Sequence, residues 1–386
     1  MTSSKCRTGP NRRAGAAPIA VLTLDALHEI FLRLPGKDLC RVRAVCRSWR
    51  SLLADPGLAA AHAARHPEPL IIAGYDELDN NGVVFSIVDL AGRVIRRVKG
   101  AAAAAFERVM SLHLDLVCVA EGASGPCRVF SPGGARASSW TLPEGMAAEH
   151  AVYEAFFSHR RTTIVLGQVE STGWFKVFRM FDGSPIRKVQ VYEVLTLAAG
   201  GRTSRWRGKE APPYAVSLGS WSSVVVSGFV YFFSNETGRQ EEDSTAFRVG
   251  SFDLETEEWR PKIPGPLRSV FSDSRYSWRE LELVVLGGCL VVVHRMGCNF
   301  NLWCLKDRDK GIWVMRNTIQ AGMEVRPLLV LNDGRMVLVH KGSKSSLKIF
   351  NPETDTSTYI AEIGPCNAIG VYTGNILSLA NGARSS

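Results

Sequence analysis

Two hydrophobic periods divide the chain. Between residues 22 and 66 the apolar positions recur at three and four: Leu27, Ile30, Phe31 and Leu34 fall on one face of a helix. Thr23 or Asp25 can cap its start, and Pro35-Gly36 stops it. A second helix is expected from about Lys37, with Leu39, Val42, Val45 and Cys46 on its stripe and Trp49, Leu52 and Leu53 continuing it. Asp55-Pro56-Gly57 reads as a turn into a short Ala-rich helix that runs to about His66. A helical unit this small buries too little apolar surface to be stable alone, so another surface must cover part of its stripe.

From Leu70 onward the period changes to two. Segments 83–90, 162–169, 174–181, 223–233, 281–294, 328–340 and 347–352 read as short strands, many joined as hairpins. Asn332-Asp333-Gly334 and Gly287-Gly288 are hairpin turns of the expected kind. A phrase also recurs: an apolar strand, then Asp, Asn or Ser with turn residues, then a strand that often carries Trp. Anchored at Asp89, Ser131, Asp182, Asp253, Asp307 and Asn351, it returns after 42, 51, 71, 54 and 44 residues. Several strands per loose repeat of this length predict a mainly β chain with a β-propeller of six or seven blades. A pair of β-sandwiches is the alternative. The long third interval, of 71 residues, is assigned to an insertion at 200–213.

Composition changes the picture only locally. Hydrophobic residues make up 46% and charged residues 22% of the 386, a globular balance. The longest apolar run, 283–293, falls short of the ~20 residues that span a bilayer, so no membrane partner is expected. The nine cysteines include no C-x-x-C pair, which suits free thiols in a reducing compartment, cytoplasmic, nuclear or both. The net charge of +9 is concentrated early. Residues 1–21 hold four basic groups and no acidic ones, and residues 22–66 hold seven against four. The organisation expected is a disordered basic tail over 1–20, a helical unit over 21–66 and a β unit over 67–386.

Candidate chemistry is sparse. His62 and His66 have a spacing that can bind zinc, but no third ligand is evident, and a surface helix is the plainer reading. No phosphate-binding or nucleophile motif occurs. No catalytic residue, metal or cofactor is assigned. Cys46 is read as packed within the helical stripe. The insertion places Arg202, Arg205 and Arg207 around Trp206, a set suited to an acidic or phosphorylated partner. These four are the candidate substrate-binding residues. The acidic run 236–243 reads as a solvated hairpin tip.

The ordered series Leu22, Leu27, Glu29-Ile30, Leu34-Pro35, Lys37-Asp38-Leu39, Val45-Cys46-Arg47-Ser48-Trp49 and Asp55-Pro56 closely resembles an F-box, with Thr23 where the family usually has Pro. The phrases at 227–233, 251–267, 281–294, 302–315, 325–340 and 349–358 resemble the F-box-associated domain of plant F-box proteins. That resemblance implies a substrate-recognition subunit of a Skp–cullin–F-box ubiquitin ligase, with no active site of its own. Its partners would be a Skp-type adaptor, through it a cullin–RING ligase, and an unknown protein held by the β unit. Leu22, Leu27, Ile30, Leu34, Pro35, Leu39, Val42, Val45 and Trp49 match the family's contact and core positions, which sequence does not divide between the two roles. Two other classes stand as alternatives: a propeller enzyme, or a basic RNA-binding protein with a helical appendage. Nucleic acid is the less expected partner.

Overall fold

A computed structural model of the chain describes residues 22–42, 44–76, 83–99, 107–121, 125–131, 138–146, 162–182, 190–197, 205–209, 212–218, 222–234, 247–266, 280–321, 324–342, 344–366 and 368–373. The tail 1–20, Arg202 and the acidic run 236–243 lie outside these residues. Four helices come first: α1 (Leu24–Arg33), α2 (Gly36–Val42), α3 (Arg47–Leu52) and α4 (Pro56–Arg65). Thr23 caps α1, its hydroxyl accepting from Ala26 N at 3.3 Å. The chain then breaks at Ala44-Val45 instead of continuing as one second helix, and the Cys46 thiol caps α3 by accepting from Trp49 N at 3.4 Å. Cys46 is exposed, which corrects its reading as a packed residue. Asp55 caps α4, with Pro56 at its first position. Leu27, Phe31, Leu32, Leu39, Leu53, Leu58 and Ala59 form a small core between the helices.

Among the described residues, twenty-four strands follow in six four-stranded antiparallel sheets. Blade 1 combines β1 (Leu70–Asp76), β2 (Val83–Val88) and β3 (Val94–Lys99) with β24 (Ala368–Tyr372). Blade 2 is β4 (Glu107–His113), β5 (Leu116–Glu121), β6 (Cys127–Ser131) and β7 (Ser138–Thr141). Blade 3 is β8 (Thr162–Gln168), β9 (Phe175–Asp182), β10 (Gln190–Leu197) and β11 (Arg207–Lys209). Blade 4 is β12 (Ser223–Val226), β13 (Phe229–Ser234), β14 (Arg248–Asp253) and β15 (Glu258–Pro264). Blade 5 is β16 (Leu281–Leu286), β17 (Cys289–Met296), β18 (Asn299–Asp307) and β19 (Ile312–Gln320). Blade 6 is β20 (Val325–Val330), β21 (Met336–His340), β22 (Ser346–Asn351) and β23 (Thr356–Glu362).

The first strands of the blades, β4, β8, β12, β16 and β20, touch in succession, and β24 completes the circle between β20 and β4. The ring is therefore a six-bladed propeller, closed where the late strand β24 pairs with β1, Leu70 opposite Tyr372. Apolar clusters fill the spaces between neighbouring blades. One joins Val165 and Phe178 of blade 3 to Phe232 and Phe252 of blade 4. Strands such as β2 and β6 are buried along their whole length, because both faces of a blade meet a neighbour.

The recurring phrase has a physical basis. Asp89, Asp253, Asp307 and Asn351 end the third strands of their blades, and their side chains accept backbone N–H bonds from the turn that follows. Each of these turns closes on a left-handed residue: Gly92, Glu257, Gly311 and Asp355. Asp182 differs, because it ends β9, the second strand of blade 3. That shift lengthens the interval from Asp182 to Asp253, which an insertion alone was expected to explain. Ser227-Gly228 and Gly287-Gly288 are two-residue hairpins with positive φ at both positions, and Gly334 closes the β20–β21 turn at φ 85°.

Candidate functional site

The helical unit divides its apolar side chains into two sets. Leu27 and Leu39 are buried in its core, while Leu34, Val42 and Trp49 are half-buried at the edge. Leu22, Ile30, Pro35 and Val45 are exposed, and so is Leu24. Leu24, 65% exposed, is a position the pattern reading passed over; the strong amphipathic skew of α1 was its signal. Ile30 and Val45, 41% and 62% exposed, extend the same uncovered set onto the α2–α3 connection. Arg33, Arg41, Arg47 and Arg50 of the same helices are exposed as well. Arg33 and Arg41 each meet an acid of their own helix, Glu29 at 3.6 Å and Asp38 at 3.1 Å.

His62 and His66 stabilise the end of α1. His62 Nε2 donates to the Leu34 carbonyl at 2.9 Å and His66 Nε2 to the Leu32 carbonyl at 3.1 Å. These are carbonyls that a helix C-terminus leaves without intrahelical partners. Burial is the main cause that holds the His62 imidazole below its ordinary pKa, partly opposed by the bond to Leu34 and reinforced by nearby His66. The pair thus has a packing role, and among the described residues no group of three metal-ligating side chains occurs.

The segment 200–213 was expected to be a partner-binding loop. Its residues Arg207–Lys209 instead form β11, the outer strand of blade 3, paired with Val194 to Tyr192 of β10. Trp206 Nε1 donates to the Pro143 carbonyl of blade 2 at 2.7 Å, and the Arg179 guanidinium lies 4.5 Å from the Trp206 ring centroid. Arg207 bonds the Glu257 carboxylate of blade 4, which also pairs with Lys176 at 2.9 Å. Burial alone would raise the Glu257 carboxyl; its two cationic partners outweigh that and hold it below the usual range. Trp206 and Arg207 are therefore spent on joining blades, and of the described candidates only Arg205 is exposed.

Behind this seam lies a buried ion pair. Arg179 and Glu193 are 3% and 0% exposed, and Glu193 also accepts from Met146 N at 2.8 Å. A cavity of about 1040 Å³ occupies the ring centre between the inner strands. Its wall is largely apolar, with His113 near the β4–β5 turn and Arg326 on β20. Burial lowers His113 to about 4 and Arg326 to about 9. Arg326 pairs with Glu282 of the neighbouring blade. The linker Pro67-Glu68-Pro69 borders this cavity, and α2 lies against β3, so the helical unit enters at the end where the inner strands finish. Among the described residues no helix is long and apolar enough to cross a membrane.

Comparisons with known proteins match both parts. Residues 19–59 match the model of the F-box domain, and residues 139–360 match that of the F-box associated beta propeller domain. F-box protein At3g07870 of Arabidopsis thaliana is 24% identical over 82% of this chain and 82% of its own. F-box/kelch-repeat protein At3g23880 of the same plant is 23% identical over 92% and 95%. Among solved structures, the Dos1 propeller aligns with 74% of this chain and 67% of its own at 11% identity, with a TM-score of 0.36.

Proposed function

Because the chain belongs to the F-box-associated β-propeller family and carries an F-box, we propose that it is the substrate-recognition subunit of a Skp–cullin–F-box ubiquitin ligase. The F-box docks a Skp-type adaptor and the propeller holds the protein to be ubiquitinated. The observation that carries this reading is the uncovered set Leu22, Leu24, Ile30, Pro35 and Val45. A soluble helical unit that exposes this many apolar groups together is shaped for a partner. The exposed arginines of the same helices favour an acidic one and speed its approach. The propeller contributes proximity: a target held on the same particle as the ubiquitin-charged enzyme meets it at a raised effective concentration. No chemistry by this chain's own residues is required.

The test is co-purification with the adaptor. Ile30→Asp with Val45→Asp places two charges where a partner would desolvate them, and should weaken adaptor binding by more than about 2 kcal/mol, the scale of an interface hot spot. Both positions are exposed, so the melting temperature of the chain should not move. Adaptor recovery at the wild-type level would reject the reading.

A further inference from the structure

The six blades end in six outer strands, and four of them, β3, β7, β11 and β15, carry recognised guards. β7 and β11 are short, four and three residues. β3 carries Arg96, Arg97 and Lys99. β15 contains Pro261, which cannot donate to an added strand. These are the devices by which sheets avoid unwanted edge pairing. β23 opens with Thr356, Ser357 and Thr358, all exposed and polar.

β19 is the more open edge. It is nine residues long and has no proline; its one charge, Arg316, sits at a bulge opposite Leu302 and Trp303, and the four residues before it, Ile312 to Met315, carry no charge. Ile312, Val314 and Met315 are 46%, 45% and 52% exposed. Its inner edge pairs with β18, and among the described residues no strand pairs with its outer edge. Trp313 Nε1 donates to the Pro264 carbonyl of blade 4 at 2.7 Å, which anchors the strand at its start. The edge is thus fixed at its start, and its first four residues are free of guards. Val314 lies opposite Cys304 and Met315 opposite Trp303, so apolar groups project from both faces of the sheet along this edge.

We propose that β19 is a docking edge for an extended segment of another protein, added as a fifth strand to blade 5. The size of the edge selects this occupant over a second copy of the chain. One strand about 30 Å long offers far less than the roughly 1,200–2,000 Å² that a stable dimer buries, but it matches a single peptide strand, whose affinity comes from main-chain hydrogen bonds. Charge narrows the class further. Lys306, Lys310 and Arg316 are exposed beside the edge, against Asp309 and against Asp307, which pairs with Lys310 at 3.6 Å, so the balance is basic by one charge. The segment that fits is apolar at consecutive positions, one side chain for each face of the edge, and acidic at its ends. This binding does not depend on the ligase reading, since it uses no residue of the F-box.

The test is selection of short random peptides from a display library on the full chain, and in parallel on the Val314→Glu, Met315→Glu variant. Both substituted side chains are exposed, and equal melting temperatures would establish that the variant is folded. Peptides enriched on the wild type should carry a short run of consecutive apolar residues with acidic ends. They should lose at least about tenfold in affinity on the variant, and as much when N-methylated at alternate amides. No enrichment, or enriched peptides that bind the variant and the N-methylated form equally well, would overturn the proposal. Self-association of the wild type that the variant abolishes would also overturn it, by naming a second copy as the occupant.

Discussion

The indole of Trp206, at the start of the outer strand of blade 3, donates to the carbonyl of Pro143, just beyond the outer strand of blade 2. Trp313 makes the same 2.7 Å bond to Pro264 two blades further on. In each case a tryptophan opening one outer strand is tied to the end of the outer strand before it. Trp206→Phe keeps most of the apolar contact and leaves the Pro143 carbonyl without this donor. The expected loss is about 1–3 kcal/mol, read as a lower midpoint in denaturant unfolding. Trp313→Phe should fall in the same range, and a midpoint unchanged in both variants would refute the shared role.

The Arg179–Glu193 pair should behave as a buried ion pair does. Glu193→Gln removes the charge that compensates Arg179, and the expected destabilisation is about 3–5 kcal/mol. Arg179→Met with Glu193→Leu removes both charges and should recover most of that loss. Denaturant unfolding of the two variants beside the wild type checks it.

Folded-state histidines with lowered pKa values make the protein acid-sensitive in a defined window. His113 is held near 4 by burial, against an ordinary value of 6.5. Between these values the unfolded chain binds a proton that the folded chain refuses. The stabilising contribution is therefore complete above pH 6.5 and is lost as the pH falls towards 4. His62 adds a loss of the same sign below 6.5. Thermal unfolding from pH 7.5 down to 4.5 should show stability falling less steeply in His113→Gln than in the wild type; parallel slopes would count against it.

The division of the helical unit predicts opposite outcomes for neighbouring leucine-like positions. Leu39, fully buried, should lose about 2–5 kcal/mol on substitution by Ala. Ile30→Ala, at an exposed site, should stay within about 0.5 kcal/mol of the wild type. Helical circular dichroism during denaturant unfolding separates the two.

Legibility followed how local each determinant is. The helical stripe, the Asp-led turns at Asp89 and Asp253 and the glycine hairpins are set by residues within a few positions, and they were readable. The blade count stayed open between six and seven because β24 joins β1 from the far end of the ring, a pairing that no local pattern reports. Asp182 misled the repeat because it is the same residue type in the same sort of phrase on a different strand. The blade-joining bonds of Trp206 and Arg207 were not readable because their acceptors, Pro143 and Glu257, lie 63 and 50 residues away in sequence, on neighbouring blades. The exposure of Cys46 was hidden by a helix break that the apolar spacing ran straight through.

The pairing of Leu70 with Tyr372 also sets an order of events during synthesis. The F-box helices and most of five blades leave the ribosome long before β24, yet the circle has no inner strand between β20 and β4 until β24 arrives. A nascent chain that has reached only β23 therefore presents the bare edge of β1 and the apolar walls of blades 2 and 6, a surface for chaperones. Truncation before Ala368 would leave the ring permanently without the strand that fills the place between β20 and β4.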